Sequence, residues 1–376
     1  MLITIITFII ILSILILAHE IGHFFVAKKM GMKIEEFGLG YPPRVYGVKK
    51  GGVVYSLNLI PFGGFVKILG EENEDKAKED PRSFQNRPWS ARALTISAGV
   101  LMNFALAVVL LSIGFNIGIP AILDEKVLAE TSTRIKNKEV IISYVNKGSP
   151  AEKVGLQVRD TIIAIDGEKA NNISEIIEKI KERQGAEISL EIKRRKTNLT
   201  KKITPRTDPP EGEGALGVGL AKIGIVSYPW YLALWKGAEA TFFTFLAILT
   251  GFWQLIKGVF IPQAVPLEVA GPVGIAVLTG RAIDQGWIYV LQLTAILSIN
   301  LGIINFFPIP ALDGGRFFFL LLEKIRKGKK VNVNLETLAH QVGFYALIIL
   351  LAFVTFRDIF KWKEKFWNAI ERIVGG

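Results

Sequence analysis

His19-Glu20-Ile21-Gly22-His23 puts two imidazoles four residues apart, with a carboxylate next to the first. On a helix, positions i and i+4 share a face, so both rings can hold one metal ion while Glu20 acts on a water beside it. That is a metalloprotease arrangement. The chain has three histidines and two of them fall at this spacing. It has no cysteine, so a tight metal site must use histidine and carboxylate. The bland alternative is a helix end whose polar residues meet lipid headgroups. Against it, charged groups running straight on from an apolar helix cost on the order of a few kcal/mol near mid-bilayer and are usually functional there.

A catalytic zinc takes three protein ligands and leaves a fourth position open, so one more ligand is needed. His340 stands in a polar stretch, Asn332 to Gln341, leading into the last apolar run, where an interfacial histidine is the simpler explanation. Asp313 stands in Asn305-Phe306-Phe307-Pro308-Ile309-Pro310-Ala311-Leu312-Asp313-Gly314-Gly315. Two prolines and two glycines interrupt the helix there. Broken backbone at membrane depth is tolerated only where protein buries it or it lines a watery cavity. Asp313 is therefore the expected third ligand, with one zinc per chain.

The elements that must carry these groups are apolar. Half of the 376 residues are hydrophobic, and long uncharged runs lie near 1–18, 93–118, 240–256, 287–311 and 342–356. Runs near 20 residues can cross a bilayer as helices, which sets a membrane class. No Lys or Arg precedes Lys28 and no small-residue cleavage site ends the first run, so a retained membrane helix is expected over a removable signal. The net charge of +11 is spread along the chain without a basic-aromatic platform. It points to anionic lipid surfaces and not to nucleic acid.

Lys28, Lys29 and Lys33 place residues 28–92 in the cytoplasm. Within them, Val53 to Ile60, then Pro61-Phe62-Gly63-Gly64, then Phe65 to Ile68 predict a β-hairpin with a glycine turn. Its exposed edge, Gly63, Gly64, Phe65 and Val66, could pair with an unwound substrate segment. A hairpin that merely caps the bundle is the alternative. Residues 71–88 predict an exposed loop and 93–118 a second span. Residues 124–222 form a soluble block of mixed charge with alternating strands and a charged helix at 173–183. Ser149 to Leu156 followed by Asp160 to Gly167 resembles a bacterial PDZ domain, which implies a groove that captures peptide by strand addition; a mere spacer is the alternative.

The paired motifs and the PDZ block between them resemble the site-2 protease family of intramembrane zinc metalloproteases, in a bacterial form with one PDZ domain. The resemblance implies that His19, His23 and Asp313 bind zinc, that Glu20 is the catalytic base and that Asn305 helps to hold the substrate backbone. Gly99-Val100-Leu101-Met102-Asn103 resembles the family's GxxxN element, which adds Asn103 as a candidate substrate-binding residue; ordinary close packing at Gly99 is the alternative. The implied substrates are single-span membrane proteins such as anti-sigma factors or signal-peptide remnants. A PDZ-bearing receptor or scaffold with structural zinc is the rival function.

Metal ligation also constrains topology. If Met1 is outside, His19 and His23 lie toward the cytoplasm, so the 287–311 run must pass inward for Asp313 to reach the same ion. Residues 228–260, with Lys236, Glu239 and Lys257 among Trp230, Trp235 and Trp253, are therefore expected to lie on the outer interface or re-enter it. The expected fold is a mainly α-helical polytopic membrane protein with about four spans, a cytoplasmic-side β-hairpin region and an inserted α+β PDZ domain. Its expected parts are 1–123 (HExxH helix, hairpin, second span), 124–222 (PDZ, extracytoplasmic), 223–286 (interfacial amphipathic helices) and 287–376 (LDGG motif, last span). The expected location is the inner or cytoplasmic membrane.

Overall fold

A computed structural model of the chain describes residues 2–71, 79–123, 127–128, 133–170, 172–194, 197–260, 270–329 and 331–374. The chain divides into two units, one of Met1–Ser112 with Leu234–Gly376 and one of Ile113–Ala233.

The first unit opens with α1 (Leu2–Lys29), apolar on every face until His19. A helix with no polar stripe cannot sit at a water-facing surface. Lys28 and Lys29 in its last turn complement the helix dipole, and Gly31, at φ +73°, lets the chain leave in a left-handed conformation. Strands β1 (Ile34–Lys50) and β2 (Val53–Ile68) follow and form a sheet of their own. Its turn is Gly51-Gly52, at φ +60° and +85°, and not the expected Pro61 to Gly64. Two consecutive positive φ values are what a tight hairpin turn requires, and the glycine pair supplies them without strain. Gly64 instead lies within β2, opposite Leu39. Both strands bend back on themselves, so Phe37 pairs with Val66 on one side and Tyr55 on the other, leaving Gly64–Ile68 at the rim.

Helix α2 (Trp89–Ile117) runs antiparallel to α1: its Thr95 meets His23 and its Asn103 meets His19. Gly22 permits this crossing, since a Cβ there would collide with the carbonyl of Ala98.

The second unit is a seven-stranded antiparallel sheet in the order β3-β9-β4-β5-β7-β8, with β6 beside β5. Its strands are β3 (Ile119–Ile122), β4 (Arg134–Val145), β5 (Thr161–Ile165), β6 (Glu168–Lys169), β7 (Ile188–Arg194), β8 (Thr197–Ile203) and β9 (Val218–Ser227). Two helices join it, α3 (Pro150–Lys153), capped by the Ser149 hydroxyl, and α4 (Ile173–Glu182). Alternate residues of β7 (Ile188, Leu190, Ile192) point into one core. Ile176 and Ile180 of α4, one turn apart, close it.

The chain re-enters the first unit through α5 (Trp230–Phe260), then α6 (Pro272–Gln285), α7 (Trp287–Phe306), α8 (Asp313–Ile325) and α9 (Val333–Val374). Five helices among the described residues are long and apolar enough to cross a membrane, by length and composition: α1, α2, α5 (Trp230–Gly258), α7 and α9 (Asn334–Lys361). Helix α5 covers the segment expected on the outer interface or re-entering it. It follows α2, with Gly237 against Ser112 and Val108, the Phe245 ring 5.5 Å from that of Phe104, and the Phe252 ring 5.1 Å from that of Phe307. The small residue at 237 allows this approach, which charge and tryptophan content could not reveal. Residues 261–269, which join α5 to α6, lie outside the described residues. Near the start of α1, Thr4 lies beside Gly280 of α6, seven residues before α7 begins; further along α1, His19 meets Asn305 at the end of α7. Helix α7 therefore runs in the same sense as α1.

Candidate active site

The last turns of α1 hold His19, Glu20 and His23, and the first residue of α8 is Asp313. The Nε2 atoms of the two imidazoles lie 3.1 Å apart, and the Asp313 Oδ2 is 3.0 Å from His19 Nε2 and 3.2 Å from His23 Nε2. A tetrahedral zinc bonded at about 2.0–2.1 Å separates its ligand atoms by about 3.4 Å, so the triangle fits within a few tenths of an ångström.

Proton bookkeeping makes the same case. His23 Nδ1 is 2.9 Å from the Thr95 carbonyl oxygen, which only accepts, so Nδ1 carries the proton and donates it. The lone pair is then on Nε2, facing the centre. At His19 Nδ1 the amide of Asn103 lies 3.2 Å away, and the Asn103 Oδ1 is buried without a partner. Amide oxygen and nitrogen are assigned from the network, and turning this amide over lets Oδ1 accept from His19 Nδ1–H. Both imidazoles then aim lone pairs at the Asp313 carboxylate. Three acceptors at such separations repel one another unless a cation stands among them.

Gly99 makes room for this. A Cβ there would collide with His23 Nε2 and stand 2.6 Å from His19 Cε1. Its role is to clear space for the two rings. Close helix packing, the alternative kept open for Gly99, falls on Gly22.

Asp313 is delivered by an irregular turn. Leu312 caps α8, Ala311 takes φ +80°, and the Ala311 N–H donates to His340 Nδ1 at 2.8 Å. A Cβ on Gly314 would run into the carbonyls of Phe306 and Phe307, and one on Gly315 into that of Ile309. The two glycines are needed because the end of α7 folds directly over the start of α8. His340, the other candidate ligand, is thus engaged by backbone.

Glu20 joins His19, His23 and Asp313 in lining a cavity of about 610 Å³. Gly64, Phe65 and Val66 of the β2 rim line the same cavity, and a Cβ on Gly64 would lie 3.6 Å from Glu20 Cγ. Gly63 lies just outside that lining, bent at φ +83° beside Tyr41 and Ile16. The Asn305 amide lies 3.4 Å from His19 Nε2. Asn103, expected as a substrate-binding candidate, is fully buried behind His19 and does not line this cavity, a position that suits orienting the imidazole. Sequence spacing placed it on the correct helix but could not say which side of the histidine it occupies. Thr95 carried no sequence signal, since it acts through its backbone carbonyl.

The fold and the site together define a multi-pass membrane metallopeptidase. The model for peptidase family M50 matches residues 7–350, and the chain belongs to that family. A Clostridium perfringens protein with a zinc-metalloprotease name is 34% identical over 348 residues, 92% of this chain and 96% of its own. "Zinc metalloprotease RasP" of Geobacillus kaustophilus is 30% identical, covering 95% of this chain and 98% of its own. "Regulator of sigma-W protease RasP" of Bacillus subtilis is 29% identical over the same shares. Among solved structures, the PDZ domain of an SdrC-like protein from Listeria monocytogenes aligns with 23% of this chain and 92% of its own, at 24% identity and a TM-score of 0.21.

Proposed function

We propose that the chain is an intramembrane zinc endopeptidase that cuts single-span membrane proteins in or beside their spans, with His19, His23 and Asp313 as ligands and Glu20 as base. The observation that carries this reading is the meeting of three lone-pair donors with Glu20 in a cavity walled by the rim of β2. Bound there, zinc supplies a Lewis acid that polarises the scissile carbonyl and makes a water more acidic. Glu20 takes the proton of the attacking water and passes it to the leaving amine. The Asn305 amide donates to the carbonyl oxygen as it gains charge.

A membrane helix hides its peptide bonds in its own hydrogen bonds, so substrate must unwind first. The rim of β2 at Gly64, Phe65 and Val66 suits this step, because a strand edge that pairs with no further strand among the described residues offers the unwound segment replacement partners next to Glu20. Gly63, whose bend shapes that rim, is included in the binding segment. In the second unit, β3 pairs with β9 only as far as Ile223 and α4 packs against β9, so that among the described residues Gly219 to Ala221 pair with no strand on that side. That opening supports a PDZ-type groove for peptide segments of substrate.

The parallel course of α1 and α7 supports the topology in which the site lies toward the cytoplasm and the 124–222 PDZ block outside. In that arrangement the membrane parts are 1–123 and 287–376, and 223–286 contributes a re-entrant α5 in place of a full crossing. The location is the cytoplasmic membrane. The relative named for regulation of sigma-W supports anti-sigma factors as one substrate class.

Co-expression with a panel of tagged single-span proteins tests the reading. Glu20→Gln should hold zinc at the wild-type ratio and cut none of them; cleavage by that variant would refute the assignment of the base.

A further inference from the structure

The third ligand hangs from a turn that α9 braces from outside. Ala311 is in the left-handed region at φ +80°, which a residue with a Cβ rarely adopts. Within the turn, Ile309 N–H donates to Phe307 and Leu312 N–H to Ile309. The second closes a four-residue turn around Pro310 and Ala311, with Ala311 at the position where a type II turn takes φ near +80°, and it leaves the Ala311 N–H to find its partner elsewhere. That N–H goes to His340 of α9, 29 residues away, at 2.8 Å. His340 Nδ1 must carry a lone pair to accept this bond, and the ring is seated against Phe319 of α8, centroids 5.5 Å apart.

Three residues on, and so on the same face of α9, Gly343 lies under the turn. A Cβ there would collide with the Pro310 carbonyl oxygen and stand 2.8 Å from the Pro310 Cβ. One face of α9 therefore grips two consecutive residues, Pro310 by contact and Ala311 by a hydrogen bond. Asp313 follows two residues later.

We infer that His340 is a positioning residue for the zinc site: with Gly343 it holds the Pro310-Ala311 turn so that the Asp313 carboxylate stands against both imidazoles. This rests on the reading that His19, His23 and Asp313 bind zinc. It assigns the last long helix a part in metal affinity through a side chain that touches no ligand. Groups that support metal ligands in this way are worth about 10–100-fold in affinity, and His340 stands one link further out, so the low end applies.

The test measures zinc affinity of the full-length protein in lipid nanodiscs by competition with a chromophoric chelator. His340→Phe keeps an aromatic ring and loses the acceptor; zinc should bind about tenfold more weakly. His340→Gln keeps an acceptor oxygen and should stay within about threefold of wild type. Gly343→Ala should weaken zinc as His340→Phe does. Wild-type affinity in His340→Phe, or a His340→Gln no better than His340→Phe, overturns the inference. Should His340→Phe fail to yield folded protein, Gly343→Ala decides, and wild-type affinity there overturns it. Asp313→Ala separates the two readings. If it leaves zinc affinity intact, the ligand assignment fails; if it loses zinc while His340→Phe does not, the positioning role fails.

Discussion

At residue scale the site is a problem of room and of protons. Zinc ligation needs three lone pairs within about 3.4 Å of one another, and each must be held there by something that is not the metal. Thr95 holds His23, Asn103 holds His19, and the left-handed turn at Ala311 holds Asp313. Gly99 leaves the space they occupy. Gly99→Ala should therefore yield folded protein whose zinc content, measured by elemental analysis, falls well below one per chain. Asn103→Leu removes the acceptor for His19 Nδ1–H and should weaken zinc about 10–100-fold in the same assay, whereas loss of cleavage with full zinc would return Asn103 to substrate binding.

At the scale of elements, α2 and α8 are stapled together beside the site. Arg92 donates to both carboxylate oxygens of Glu323 at 2.9 and 2.6 Å, and both side chains are largely buried. The Trp89 indole donates to the Leu320 carbonyl, and Lys324 sits over the Trp89 ring. Such a pair adds little net stability as a whole, but removing one partner strands a charge. Glu323→Ala should cost about 3–5 kcal/mol, read from denaturant unfolding in micelles, and the double change Arg92→Met with Glu323→Leu should cost much less. The β2 rim permits a second test at this scale. Val66→Pro removes a backbone donor from the edge and should reduce cleavage without changing zinc content; unchanged cleavage would leave β2 a purely structural cap.

At the scale of the whole molecule, the second unit is an insertion whose ends meet. Ile122 of β3 pairs with Ile223 of β9. Replacing residues 124–221 with an Asn-Gly turn should thus close the stub without disturbing the helices that bear the ligands. If the sheet domain filters substrates by their outer portions, this deletion should keep zinc and cleave the same panel with relaxed selectivity. Complete loss of cleavage with zinc retained would make the domain an essential docking site instead.

The sequence by itself singled out His19, His23 and Asp313 as candidate ligands and Glu20 as candidate base, because metal chemistry restricts residue type and helical periodicity restricts spacing. It determined the apolar runs for a similar reason, since a bilayer demands unbroken length. Only the tertiary structure decided which partners those groups meet. His23 is bonded to a carbonyl 72 residues away and stands against a carboxylate 290 residues away. No local pattern specifies which side of a histidine a distant asparagine will occupy, which of two glycine pairs will make the turn, or that His340 supports the zinc turn instead of binding zinc. Those outcomes follow from packing, where a missing Cβ at Gly99, Gly237 or Gly343 counts for as much as any side chain present.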